Sequence, residues 1–352
     1  NGVRLNTRRL GVERLEDRML LAVFMEGVLE SGQPEAFAAD PMFDPVGFFY
    51  LNMADGWHRG GSAVLIAPDW LLTAGHNLFG SDGAGGGISE LRFYTGGRLL
   101  EGYDHQVIAE QWLIYPGFSP DSGLGHGVDL GLIHLSEPIV DIAPAVLFSG
   151  EDQRDTLMYM AGYGQPGTYS TGLQPFDGRQ RAGSNIAGQF GGDGTVTYAE
   201  SQYWNSSFSP YDLDIQPLEW MGSPGDSGGG WFADIDGQIQ LVGISSGYWG
   251  VPGMGDTLAI RTSLYNDWIT DTMTAHSPLS VSIATAAAQA PLTNTGPVLF
   301  TATFSSAVTD FDAAEVIASG APGTLTTTVT PVGTGGTTYN IAVSGMTGDG
   351  QV

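Results

Sequence analysis

Ser227 is the residue whose surroundings in the sequence most clearly suit covalent chemistry. It lies in the stretch 223–230, SPGDSGGG, where every residue except Asp226 is Gly, Ser or Pro. Glycine lets several main-chain N–H groups approach one point, and such a group of donors stabilises a developing oxyanion. A serine hydroxyl is a weak nucleophile, however, unless a base takes its proton and a third group orients that base. Without such partners the stretch is better interpreted as a Gly-Ser turn.

His76 is the histidine best placed to act as that base. It is one of six histidines in the chain, and it follows the apolar run 70–72 after Thr73 and two small residues. Short apolar runs bounded by turn residues predict strands, so we expect His76 at the end of a strand, where rigid structure holds its ring. The alternative interpretation is that it is an ordinary surface or core histidine.

Asp129 is the candidate for the group that orients the histidine. It stands at the start of the apolar run VDLGLIHL, residues 128–135. A buried carboxylate is costly unless it is paired or hydrogen-bonded, and a histidine N–H is a suitable donor. The alternative interpretation is an aspartate that caps a strand.

Short strands are the elements that must position these residues. The chain has 352 residues, with 42% apolar residues and 53 glycines, a composition that favours many turns and short strands over long helices. Apolar runs separated by turn residues recur from Phe48 onward. An all-β protein with more than one domain is therefore predicted.

Charge and cysteine content exclude several classes of function. The chain carries 38 acidic and 12 basic residues, all of the latter arginine, for a net charge of −26. Such a surface repels nucleic acid and anionic membranes. The absence of cysteine excludes disulfides and thiolate metal sites and favours a bacterial protein. No apolar run is long enough to span a membrane, and no metal-binding pattern occurs, so we predict no cofactor.

Three sequence blocks, in this order, resemble the signature blocks of the trypsin/chymotrypsin family, peptidase S1. They read GGSAVLIAPDWLLTAGH, VDLGLIHL and GSPGDSGGGWF, and QLVGISSGYWG and TLAIRTSLYNDWI follow them. The order histidine, aspartate, serine along the chain is that of the chymotrypsin type. The resemblance covers about residues 40–275. It implies an all-β fold of two six-stranded antiparallel barrels with a C-terminal helix, and an active site in the cleft between the barrels.

The resemblance also implies roles for individual residues. Ser227 is similar to the family's nucleophile, His76 to its general base and acid, and Asp129 to the residue that orients the histidine. The backbone N–H groups of Gly225 and Ser227 resemble the oxyanion hole. Asp226 corresponds to the aspartate that pairs with a new N-terminus after activation cleavage in this family. The usual activation sequence is missing here, so Asp226 finds another partner or activation works differently.

The primary specificity pocket implied by the resemblance has Met221 at its floor and Ser246, Gly247 and Tyr248 in its wall. Trypsins carry an aspartate at the floor position, whereas this chain has a methionine. We therefore expect cleavage after apolar or small P1 residues rather than after Arg or Lys.

Residues 1–24 and 276–352 differ from the segment between them. The N-terminal stretch VERLEDRMLLA resembles the LEDR-x-LL leader motif of exported planctomycete proteins; the alternative is an amphipathic helix of the mature protein. Residues 25–275 form the predicted protease domain. Residues 276–352 resemble a truncated bacterial Ig-like β-sandwich module. We expect such a tail to act as a spacer or to contact a cell surface or polysaccharide.

Together these features predict a secreted or cell-surface bacterial serine endopeptidase. It would hydrolyse peptide bonds in a protein or peptide substrate through an acyl-enzyme intermediate. The alternative is a non-catalytic surface binding or adhesion protein built on a protease scaffold, because a fold does not guarantee a function.

Overall fold

The computed structural model describes residues 22–24, 28–79, 87–118, 129–150, 156–187, 203–208, 218–251, 254–277, 279–293 and 296–352. Within these ranges the chain is built almost entirely of short strands, which confirms the all-β prediction. The strands are β1 (Ala22–Phe24), β2 (Val46–Met53), β3 (Gly56–Ala67), β4 (Trp70–Thr73), β5 (Glu90–Thr95), β6 (His105–Ile114), β7 (Gly131–Leu135), β8 (Leu157–Gly162), β9 (Pro166–Thr168), β10 (Gly172–Leu173), β11 (Arg181–Ile186), β12 (Tyr203–Phe208), β13 (Trp220–Met221), β14 (Gly230–Ile235), β15 (Gln238–Val251), β16 (Met254–Arg261), β17 (Val281–Thr285), β18 (Val298–Phe304), β19 (Gly323–Pro331) and β20 (Thr338–Met346). The α-helices are α1 (Gln33–Ala38) and α2 (Asn266–His276).

The first six strands after β1 close into an antiparallel barrel in the order β2-β3-β4-β7-β6-β5. Its strands alternate in burial, as β5 illustrates: Leu91, Phe93 and Thr95 point inward, whereas the residues between them are partly exposed. This period of two is what a strand with one buried face requires. The resulting core is apolar and includes Phe49, Leu71 and other buried side chains. The first predicted barrel is therefore confirmed.

A second sheet has six antiparallel strands in the order β11-β8-β14-β15-β16-β12. Its core contains Met160, Trp231 and Val242. Among the described residues no pairing joins the two edge strands, so this sheet is a half-barrel and not the second closed barrel that the sequence predicted.

A smaller sheet connects the N-terminal residues to the part of the chain that forms the second sheet. Its order is β10-β9-β1-β13, and β1 pairs in parallel with β9 and antiparallel with β13. Phe24 is fully buried in the same core as Trp220 and Met158. The last residues of the predicted leader thus form a strand of this smaller sheet, whereas residues 1–21 lie outside the described part of the chain.

The chain divides into two compact units, Asn1–Asp267 and Trp268–Val352. In the second unit, the described strands form one four-stranded antiparallel sheet in the order β17-β18-β20-β19. Tyr339, Ile341 and Val343 alternate along β20 and form its small core with Ala302. The Ig-like assignment and the boundary at residue 276 remain predictions. Neither described helix is long and apolar enough to cross a membrane.

Arg181 ties α1 to the second sheet. Its buried guanidinium donates two hydrogen bonds to the Asp177 carboxylate, at 3.0 and 2.6 Å, and lies 2.8 Å from Glu35 Oε1 on α1. Since the cation is almost completely buried, both carboxylates are needed to offset its loss of hydration.

We expect Arg181→Ala to lower the free energy of unfolding by roughly 2–4 kcal/mol, because the change removes the buried cation that two partly buried carboxylates share. The matched control is Arg98→Ala, which removes an exposed ion pair with Glu101 and should cost less than about 1 kcal/mol. Urea unfolding followed by tryptophan fluorescence measures both changes. No tryptophan lies beyond Trp268, so the signal reports the part of the chain that contains both arginines. Equal effects of the two substitutions would contradict this account of the buried cluster.

Candidate active site

His76 and Asp129 are brought together by the pairing of β4 with β7. The two strands are antiparallel, with Thr73 opposite Gly131. The end of one antiparallel strand lies beside the start of its partner, so the turn that follows β4 meets the residues that precede β7. His76 lies in that turn, a 3-10 segment over Gly75–Leu78. Pairing of strands thus positions both side chains.

The Asp129 carboxylate accepts two hydrogen bonds from His76. The backbone N–H of His76 lies 2.7 Å from Oδ1, and its ring Nδ1 lies 2.7 Å from Oδ2. An ionised carboxylate only accepts hydrogen bonds, so Nδ1 must carry the proton that joins the pair. The neutral ring then has its lone pair on Nε2, which is the tautomer that a general base requires.

Ser246 donates a third hydrogen bond to the same carboxylate. Its hydroxyl lies 2.6 Å from Asp129 Oδ2, and both side chains are buried. Burial alone would raise the pKa of Asp129, but the charge and hydrogen bonds of His76 and the Ser246 hydroxyl outweigh it and hold that pKa below its ordinary value of 3.8. Asp129 therefore stays ionised. The sequence had predicted Ser246 only as part of the pocket wall.

The loop that carries Ser227 is bound to the turn that carries His76. The carbonyl oxygen of Ser227 accepts hydrogen bonds from the backbone N–H of Ser62, at 2.9 Å, and from Asn77 Nδ2, at 2.8 Å. Asn77 directly follows His76 in the chain. The structure thereby brings the predicted nucleophile into the same site as the His76–Asp129 pair.

Asp226 is a second buried carboxylate, and backbone N–H groups bind it. Gly164 N donates to Oδ1 at 2.8 Å and Ser223 N donates to Oδ2 at 2.7 Å. A Cβ at Gly164 would lie 1.6 Å from Ser223 Oγ, so only glycine permits this arrangement. Burial raises the pKa of Asp226 to about 6, although a hydrogen bond from the Ser223 hydroxyl, the two backbone hydrogen bonds and the charge of Arg181 oppose the rise.

The residues predicted for the specificity pocket lie on two elements. Met221 is completely buried on β13, next to Gly222, whose N–H donates to Thr257 Oγ1 at 3.0 Å. Gly247 and Tyr248 lie on β15, where their backbones pair with Leu258 and Thr257 of β16. The Tyr248 side chain lies outside the described part of the structure.

Two residues of the site escaped the sequence analysis. Ser62 and Asn77 are buried and bind the loop 223–230, yet each resembles any small polar residue beside an apolar run. Among the described residues, no group of three or more His, Cys, Asp or Glu side chains is arranged to hold a metal ion.

The titration of Asp226 predicts how stability depends on pH. Its pKa of about 6 in the folded chain exceeds the ordinary 3.8 of the unfolded chain, so the folded chain binds more protons between these values. The contribution of Asp226 to the free energy of unfolding therefore falls by roughly 2–3 kcal/mol as pH rises through this window. Unfolding of wild type and Asp226→Asn across pH 3.5–7 measures it: the difference, wild type minus variant, should fall with pH, and a flat or rising difference would contradict the prediction.

Comparison with known proteins identifies the family of this chain. The model of the Trypsin family matches residues 50–269, which is more than half of the chain. No curated protein matches. Among solved structures the chain is similar to mouse neuropsin, a serine protease expressed in the limbic system of the brain, with 17% identity, a TM-score of 0.49, and coverage of 66% of this chain and 96% of that one. On the match of the family model, this chain belongs to the trypsin family.

Proposed function

We propose that the chain is a serine endopeptidase in which Ser227 is the nucleophile, His76 the general base and acid, and Asp129 the group that orients His76. Membership of the trypsin family supports peptide-bond hydrolysis. The observation that carries the assignment of residues is the pair of hydrogen bonds, each 2.7 Å long, by which His76 binds the buried Asp129 carboxylate.

The proposed reaction follows from the tautomer that Asp129 imposes. Ser227 Oγ attacks the carbonyl carbon of the scissile bond while its proton passes to His76 Nε2. The C–N bond then breaks, the amine leaves with that proton, and an acyl-enzyme ester remains on Ser227. Water attacks the ester as Nε2 takes its proton, and the proton returns to Ser227 as the carboxylic acid leaves. Asp129 stays ionised throughout and stabilises the imidazolium.

The oxyanion of each tetrahedral intermediate would bind the N–H groups of Gly225 and Ser227. Among the described residues neither N–H donates a hydrogen bond to a protein acceptor, so both are available to a ligand. Gly225 has φ +103°, a conformation that favours glycine, and a Cβ there would lie 2.8 Å from the Tyr163 carbonyl oxygen. Donors held in place before the reaction cost no reorganisation when charge develops.

The alternative of a non-catalytic binding protein on a protease scaffold is less well supported. A protein that only binds has no need of a buried carboxylate that selects one histidine tautomer, and such an arrangement costs desolvation energy. The Ser246 hydroxyl supports the same argument, because it donates a further hydrogen bond to the Asp129 carboxylate.

The proposal extends to substrate preference. Met221, at the expected pocket floor, is buried and offers a thioether instead of a carboxylate. A P1 arginine or lysine would therefore lose water without gaining an ion pair from this residue. We propose apolar or small P1 residues on this basis.

The proposal also includes export to the cell surface or the medium. It rests on the leader-like motif in residues 1–24 and on the expected contact of the tail 276–352 with a cell surface or polysaccharide.

A fluorophosphonate probe tests the proposed nucleophile, because it reacts only with an activated serine. We expect the wild type to be labelled and Ser227→Ala to be unlabelled, whereas Ser89→Ala, an exposed serine outside the site, keeps the label. An unlabelled wild type, or labelling of Ser227→Ala, would reject the assignment.

Asp129→Asn should slow hydrolysis about 10⁴-fold, as the same change does in the triad where it has been measured.

A series of peptide anilides that differ only at P1 tests the specificity. We expect kcat/KM with alanine or leucine at P1 to exceed that with arginine by more than about tenfold, since a cation buried without a partner is costly. Initial rates at low substrate concentration measure this ratio. Preferred cleavage after arginine would contradict this expectation and would show that a carboxylate from elsewhere in the chain lines the pocket.

A further inference from the structure

The hydroxyl of Ser62 connects the first barrel to the loop 223–230. Ser62 is completely buried on β3. Its Oγ donates to the Gly225 carbonyl oxygen at 2.6 Å and accepts from Tyr163 N at 3.0 Å. A serine hydroxyl has one proton to donate. Since Tyr163 N is a donor, that proton must point to Gly225, so both hydrogen bonds have a defined direction.

The side-chain amide of Asn77 binds the same loop at a second point. Its Nδ2 donates to the Ser227 carbonyl oxygen at 2.8 Å and to Thr73 Oγ1 at 3.1 Å. Thr73 Oγ1 in turn donates to the Ser62 carbonyl oxygen at 2.8 Å. The two protons of the amide are thus both used, and a buried network joins Ser62, Thr73 and Asn77 to the loop.

These hydrogen bonds fix the planes of two peptide groups. A peptide group is planar, so a hydrogen bond at its carbonyl and another at its N–H hold its orientation. In the group that joins Gly225 to Asp226, the carbonyl binds Ser62 Oγ and the N–H binds the Ser223 carbonyl at 2.8 Å.

The second fixed group joins Ser227 to Gly228. Its carbonyl accepts from the Ser62 backbone and from Asn77, and its N–H binds the Ser245 carbonyl at 2.8 Å. Gly228 packs so closely here that a Cβ would lie 2.0 Å from the Ser62 carbonyl oxygen.

The peptide group between these two carries the Ser227 N–H. Its own carbonyl, that of Asp226, accepts from Gly229 N at 2.7 Å. It is therefore held from its own carbonyl and from the fixed groups on either side. The Gly225 N–H belongs to the peptide group that joins Pro224 to Gly225. The carbonyl of that group, on Pro224, accepts from Gln165 N at 3.0 Å. The carbonyls of residues 224–227 thus all accept hydrogen bonds. Among the donors to them, the side-chain groups within normal hydrogen-bonding distance are Ser62 Oγ and Asn77 Nδ2.

We propose that Ser62 and Asn77 are positioning residues of the nucleophile loop: their side chains hold the peptide groups whose N–H donors, on Gly225 and Ser227, bind the oxyanion. This inference rests on the proposed function. Both side chains are buried, so neither contacts substrate. Their loss therefore weakens stabilisation of the transition state while substrate binding is kept, and it lowers kcat with little change in KM.

The test compares Ser62→Ala and Asn77→Ala with Thr262→Val in the full chain. Thr262 is also completely buried, and its Oγ1 donates to the Leu241 carbonyl oxygen at 2.9 Å, an acceptor outside the loop. Ser62→Ala and Asn77→Ala each lose two buried side-chain hydrogen bonds. Thr262→Val loses one that does not involve the loop, so the control reports what a merely structural loss does. The measurements are kcat and KM on a peptide anilide, affinity for a peptide aldehyde that forms the tetrahedral adduct, and the urea midpoint of unfolding.

We expect Ser62→Ala and Asn77→Ala each to lower kcat about 10- to 100-fold, less than the 10²–10³-fold loss on removal of an oxyanion donor itself. KM should change by less than about twofold, and aldehyde affinity should fall in proportion to kcat/KM. Thr262→Val should keep the kcat of the wild type, even where its urea midpoint of unfolding falls as far as the midpoints of the alanine variants. If one alanine variant does not fold, the other decides.

Two results would overturn the inference in different ways. Wild-type kcat in the alanine variants, or an equal loss in Thr262→Val, would reject the positioning role and leave the proposed function intact. A wild type that neither hydrolyses the anilide nor reacts with the fluorophosphonate probe would reject the proposed function, and the inference with it.

Discussion

Burial of the Asp129 carboxylate is the constraint on which the site depends. An ionised carboxylate taken out of water is destabilising unless hydrogen bonds replace its hydration. Here the replacement donors are the backbone N–H and ring of His76 and the hydroxyl of Ser246. His76 follows a strand of the first barrel and Ser246 lies on the second sheet, so the hydrogen bonds to this one carboxylate link the barrel to the sheet. The histidine tautomer is selected by the same contacts.

Asp226 shows how differently a second buried carboxylate behaves when its partners are neutral. Its donors are backbone N–H groups and the Ser223 hydroxyl, and burial raises its pKa to about 6, whereas the charge and hydrogen bonds of His76 help keep the pKa of Asp129 low. Ser223 N and Gly164 N bind Asp226 in this structure, and the two alternatives for Asp226, another partner or a different activation route, stay predictions. Asp226 therefore ties the loop to the second sheet, while Ser62 and Asn77 tie it to the first barrel.

The N-terminal strand adds a further constraint on the second sheet. Ala22–Phe24 pairs with Trp220–Met221, and Phe24 fills the core beside Trp220. The strand that bears the expected pocket floor is thus held by residues far upstream in the chain. Arg181 strengthens the same region, because its ion pair with Glu35 fastens α1 to β11.

Local patterns in the sequence were sufficient for much of this structure. Short apolar runs predicted the strands, and the settings of His76, Asp129 and Ser227 singled out residues that the folded chain brings into one site. Local patterns could not predict the role of Ser62, whose partner Gly225 is 163 residues away, or the bond from Ser246 to Asp129 across 117 residues. A small polar residue in a strand looks the same in sequence whatever it faces. Strand character and candidate chemistry are local properties that the sequence alone determined, whereas the partner of each buried polar group depends on which distant segments meet, and only the tertiary structure decided that.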